Sequence, residues 1–165
     1  MTESIVATDA HPEPTRRLPR EARTLWRLEA VLRWIGVAVG VLVVGTTFGD
    51  DLPDPVAALL WIVPVAGLIV DLAVTDLRWR TWRYEIRDEE IDLRRGALNV
   101  TRTLVPMARI QHVDTRRGAL EQVFKIATVA IHTAAGATSI PALKGSEADE
   151  VRDRIATLTR TPDEL

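Results

Sequence analysis

The 165-residue chain carries 23 acidic and 21 basic residues and no cysteine, so disulfides and thiolate metal sites are excluded. A net charge of -2 speaks against a strongly basic nucleic-acid binder. Its 47% hydrophobic content is ordinary only as an average, because the apolar residues concentrate in two uncharged runs, which leaves room for one further domain of about 85 residues.

Residues 1–19 mix Thr, Ser, His, Pro and charges without an apolar period and are expected to form a disordered tail. They do not read as a secretory signal, because the first apolar core begins only at Trp34. Residues 20–33 form a basic segment in which Leu25, Trp26, Leu28, Val31 and Leu32 recur at near-helical spacing among arginines, as an interfacial helix would show.

The runs Trp34–Gly49 and Pro55–Val70 each hold 16 uncharged residues. Counted from Ala30, the first gains only Arg33, and carried past Val70 the second gains Asp71 and, at its end, Asp76, so transmembrane helices over 30–49 and 55–76 each approach one bilayer thickness. Both are apolar all round, whereas a soluble helix of that kind needs a larger protein to bury it. Gly36 and Gly40 make a GxxxG that would let the two helices approach closely.

The connecting residues 50–54 hold three aspartates and no basic residue, while arginines crowd both outer ends of the hairpin. That charge bias predicts a multi-pass cell-membrane protein with both termini cytoplasmic and an external loop. Arg33, Trp34, Asp71 and Trp79 are the expected membrane-interface residues; Asp71 either sits at the interface alone or pairs with Arg33.

From Trp82 the period becomes two. Trp82–Arg87 and Ile91–Leu93 read as a hairpin around Arg87–Glu90, a further strand ends at Pro106, and Ile110–Arg116 is a strand whose Ile110 and Val113 have opposite parity, which implies a bulge or an early strand start. Gly118–Lys125 suggests a helical turn, Ile126–Thr133 and Ala137–Ala142 are strands, and Ser146 opens a helix striped by Val151, Ile155 and Leu158. The predicted domain spans 80–160, with a short tail at 161–165. Strands that curl and end in one amphipathic helix suggest a small open barrel or sandwich.

The run Tyr84–Gly136 resembles the bacterial pleckstrin-homology domain of the YdbS-like family, in its RRG turn, its RIQ-V strand, its G-L turn and its ATV-I-TA-G strand. With the two preceding helices, the likeness extends over Val31–Leu158. Ala119 and Lys125 depart from the family, which often has proline and glycine there. The resemblance implies a membrane α-hairpin followed by a mainly β, pleckstrin-homology-like barrel with a C-terminal α-helix, in a family without an established enzymatic activity.

No phosphate-binding glycine loop, zinc-protease or serine-hydrolase motif occurs in the chain, so no catalytic, cofactor or metal residue is assigned and an enzyme is not expected. His11, His112 and His132 are read as tail, surface or cross-strand residues. Arg94 and Arg95 in one turn and Arg116 and Arg117 in another are candidate contacts to an anionic surface, against which Glu85, Asp88, Glu89, Glu90 and Asp92 weigh in the same hairpins. The expected partners are the lipid bilayer and a protein partner or a second copy, with no nucleic acid. The leading expectation is a membrane-anchored scaffold or interaction protein; the alternatives are an accessory component of a membrane enzyme or transporter, and an anionic-lipid-binding module.

Overall fold

Apolar residues on every face of two long helices leave nothing for water to solvate, and the computed structural model pairs these helices as a hairpin beside a β domain. The structure describes residues 12–48 and 53–160. Helix α1 spans Arg20–Phe48 and α2 spans Asp54–Thr81. From Ile35 to Val74 their large apolar side chains are mostly exposed, a surface that fits a lipid surrounding. Pro64 sits inside α2, as membrane helices allow. Of the predicted loop at 50–54, residues 50–52 lie outside the described residues, as do 1–11 and 161–165, while Asp54 already opens α2.

The helices are longer than their spans. Residues 20–33, read as an interfacial stretch, are the lower half of α1, and Ala22, Leu25, Trp26 and Ala30 recur at three- and four-residue spacing because that face packs on the β domain. Leu18, Ala22, Leu25, Trp26 and Trp82 share one core cluster with both sheets and the last helix. The hairpin is therefore joined to the domain by apolar packing as well as by the chain.

One sheet has the order β1-β2-β3-β4: Arg16–Arg17, Arg83–Ile86, Glu90–Gly96 and Val100–Pro106. The other is β5-β6-β7: Ile110–Arg116, Ile126–Thr133 and Gly136–Lys144. A 3-10 turn at Met107–Arg109 and a short helix α3 at Ala119–Val123 make connections, and α4 at Gly145–Arg160 buries Ala148, Val151 and Ile155. The sheets are separate and do not close into a barrel.

Alternation assigns the inner face. Tyr84 lies opposite Leu93 and Ile86 opposite Ile91, all buried. The Tyr84 hydroxyl donates to Glu147 Oε1 at 2.5 Å; burial, and then that carboxylate, push the phenol well above its usual range. In the second sheet the register shifts between Ile110 and His112, the bulge being the one of the two readings of the parity mismatch that the strand adopts. Lys125 takes a positive φ of 54° at the position where the related family often has glycine.

Residues 12–19 are not a disordered tail. Arg16 and Arg17 pair with Tyr84 and Arg83, and Leu18 is buried. Thr15 donates from its amide and its hydroxyl to Glu85 Oε2 at 2.9 and 2.6 Å. Arg87 and Arg102 both reach the Pro12 carbonyl while holding the buried Asp92, whose Oδ2 accepts from Arg102 Nη2 at 2.6 Å. The segment lacks an apolar period because it is held by hydrogen bonds and ion pairs across the outer face of the first sheet.

Candidate functional site

At the base of the hairpin, α1 supplies cations and α2 the acids that receive them. Helical spacing places Arg23 and Arg27 on one face, and both bind Asp76 with two hydrogen bonds each, at 2.9 and 2.6 Å and at 2.8 and 2.5 Å. Further along α1, Trp34 Nε1 and Arg33 Nη2 donate to Asp71 Oδ2 at 3.0 and 2.5 Å. Trp34 is thus engaged between the helices through its indole N–H. Trp79 donates to the Pro19 carbonyl at 3.0 Å, and Arg78 lies 4.1 Å over Trp26.

The close approach of the helices lies elsewhere than the GxxxG. A Cβ on Gly36 or Gly40 would meet nothing within 4 Å, whereas one on Gly67 would fall 1.9 Å from the Trp34 ring. Gly36 and Gly40 turn away from α2, and Gly67 provides the seat.

Below this layer the β register assembles a row of arginines. Arg17 pairs with Arg83, Arg83 with Arg94, and Arg94 with Arg102, so four strands place guanidinium-bearing residues side by side on the outer face. Like charges directly opposite one another cost stability. Arg94 is held by Glu13 at 2.8 Å and Arg102 by Asp92. Arg17, Arg80, Arg83 and Arg94 line a cleft of about 380 Å³ with Glu13, Pro14 and Thr81, and Trp79 borders its neighbour. Burial, and then Arg17 and Arg94, pull the Arg83 pKa down, as expected in a local excess of positive charge.

The four arginines singled out in sequence do not meet in one patch. Arg94 belongs to this row, while Arg95 points to the other side of β3 and lines a groove with Thr103–Pro106, Arg109 and the β6–β7 turn. Arg116 lies beside His132 and Asp114, and Arg117 pairs with Asp149 of α4 at 3.2 Å. Along the sequence Arg17, Arg80 and Arg83 show only as charge near the helix ends, because the row exists only once the strands are in register.

The groove, of about 260 Å³, lies between the edge strand of each sheet, β4 and β7. Leu104 is half-exposed there, and the Thr138 hydroxyl in its wall has no hydrogen-bond partner in the structure. His112 and His132 form a cross-strand pair with both Nε2 atoms near Asp114, at 2.6 and 3.6 Å. Among the described residues no group of three or more acidic, histidine or cysteine side chains is arranged to hold a metal ion; His11 lies outside them.

Residues 28–159 match the family described as Bacterial PH domain. The chain is 39% identical over 158 residues to the UPF0699 transmembrane protein YdbS of Bacillus subtilis (strain 168), covering 92% of this chain and 97% of that protein. It is 29% identical over 84 residues to the UPF0699 transmembrane protein YdbT of the same organism, covering 51% of this chain and 17% of that protein. No solved structure matches. The match through both helices, the full-length likeness to a transmembrane protein, and two sheets capped by α4 agree: the chain is a membrane protein that belongs to the bacterial PH domain family and the UPF0699 transmembrane proteins.

Proposed function

We propose that the chain is a membrane-tethered, non-catalytic interaction module. The hairpin holds a pleckstrin-homology-like domain of two sheets at the cytoplasmic face of the cell membrane, and the seam between β4 and β7 takes an extended segment of a partner protein or of a second copy. The observation that carries this reading is that two strand edges border one groove, where main-chain hydrogen bonds need no side-chain signature. A photo-crosslinker at Thr103 in native membranes tests it, followed by mass spectrometry. One protein or one self-crosslink should dominate and be lost in Leu104→Asp; the same random neighbours as from a probe at Glu150 would refute the seam.

A second reading, an anionic-lipid-binding module, is favoured by the arginine row beside the helix ends. Native mass spectrometry of the purified protein should then detect an anionic phospholipid that is lost in Arg17→Gln/Arg83→Gln. Equal lipid occupancy in the variant would leave the row a structural feature. A role as a transporter or enzyme component is less supported, because Asp71 and Asp76, the acids it would use, are both engaged by arginines of α1.

A further inference from the structure

We propose that the β3–β4 turn is a second membrane contact, with Leu98 seated in the headgroup layer of the same bilayer that α1 and α2 cross. The turn is tight: Gly96 has φ +133°, and a Cβ there would fall 1.9 Å from the Asn99 carbonyl oxygen. Leu98 at its tip is 88% exposed, more than any other large apolar residue among those described, and Val100 beside it is 41% exposed. A leucine fully in water at the apex of a rigid turn contributes nothing to the domain's own core.

Its direction follows from topology. Strand β2 leaves the end of α2, and β3 returns antiparallel to it, with Arg94 opposite Arg83. Arg95, Gly96 and the turn therefore run back past the start of β2, along the last turns of α2, and Arg95, Gly96 and Asn99 share a cleft with Arg78 and Trp82. The tip stands roughly 10 Å beyond the Arg83–Arg94 pair at the rise of a β-strand. The uncharged part of α2 ends at Asp71, and the headgroup zone extends about 5–8 Å beyond the hydrocarbon. A tip returning past Arg78 is thus directed at that zone.

The occupant is the bilayer, because the turn continues an interface the protein already has. Leu98 supplies the apolar wedge, and Arg95, exposed near the end of β3 beside the turn, a cation for the lipid phosphates. Arg95 also borders the β4/β7 groove, so the contact would fix the tilt at which that seam is presented.

The chain has no cysteine, so single probes are clean. Full-length Val100→Cys, carrying a fluorophore, is reconstituted in phosphatidylcholine/phosphatidylglycerol vesicles containing headgroup-nitroxide lipid. Asp88→Cys, in the turn at the opposite end of the β2–β3 hairpin, is the reference. Quenching at Val100 should exceed that at Asp88, and adding Leu98→Asp should reduce the seated fraction roughly tenfold, as loss of one buried leucine would. Equal quenching at Val100 and Asp88 would overturn the contact, and quenching at Val100 unchanged by Leu98→Asp would overturn the role of Leu98.

Discussion

Trp34 lies flat against Gly67, and its indole N–H reaches Asp71 one helical turn further along α2. One side chain thereby sets both the spacing and the axial register of the hairpin. The seat works only without a Cβ. Gly67→Ala puts a methyl group inside the ring contact and should destabilise the hairpin by about 1–3 kcal/mol, as overpacking does. In detergent unfolding, Trp34→Ala should abolish most of the additional cost of Gly67→Ala. Additive losses would mean that the two residues do not oppose one another.

The two aspartates of α2 predict different costs. Asp76 accepts four hydrogen bonds from Arg23 and Arg27, whereas Asp71 accepts one from Arg33 and one from Trp34. Asp76→Asn should lower stability by about 1.5–3 kcal/mol, the range for bonds to charged groups. Asp71→Asn keeps an acceptor for the indole and should cost less. If Asp71→Asn instead left a fully assembled protein that had lost a transport or turnover phenotype, the enzyme or transporter reading would replace the one proposed.

What periodicity could reveal, it did: two apolar helices, a period of two from Trp82, the bulge near Ile110 and the stripe of α4 are all local patterns. The rest depends on partners distant in the chain. Arg16 and Arg17 form a strand only because β2, some 67 residues later, offers an edge. Leu98, Val100 and Leu104 share one parity, but that parity faces outward, because Thr103 and Val105 lie opposite the buried Leu93 and Ile91. The arginine row is likewise a product of register, and no spacing along one strand announces it. Gly36 and Gly40 matched a packing motif whose direction depends on how α1 is rotated about its axis.

The docked N-terminal segment should be acid-sensitive. The Thr15 hydroxyl, and then its amide, hold the Glu85 carboxyl below its usual range. A carboxyl depressed in the folded state contributes stability that is complete above its unfolded pKa and is lost as pH falls through the folded value. Residues 12–17 should therefore stay docked at neutral pH and loosen below the ordinary carboxylate range, with the core retained. Amide exchange at Arg16 and Arg17, corrected for intrinsic rates, reads this directly, and Glu85→Gln should show the loosened state already at neutral pH. Equal protection in the variant and the native chain would show that Glu85 does not hold the segment.

Orientation in the membrane is the prediction on which the proposed meeting of the seam with cytosolic partners depends. Short-loop arginines near helix ends are retained in the cytoplasm. Arg20, Arg23, Arg27 and Arg33 precede or enter the apolar part of α1, and Arg78, Arg80, Arg83 and Arg87 follow that of α2, against no basic residue in the connection. The structure adds a physical reason for the arginines to remain together. Arg23 and Arg27 are bound to Asp76 across the helix pair, and α1 is packed on the domain, so inversion would carry the whole assembled base and both sheets across the bilayer. Leu52→Cys in the connection should react with an impermeant maleimide on intact cells. For the other side, Ala135→Cys in the exposed β6–β7 turn should react only after lysis. The reverse labelling, or equal labelling of both sites in sealed cells, would refute the topology and with it a seam that meets cytosolic partners.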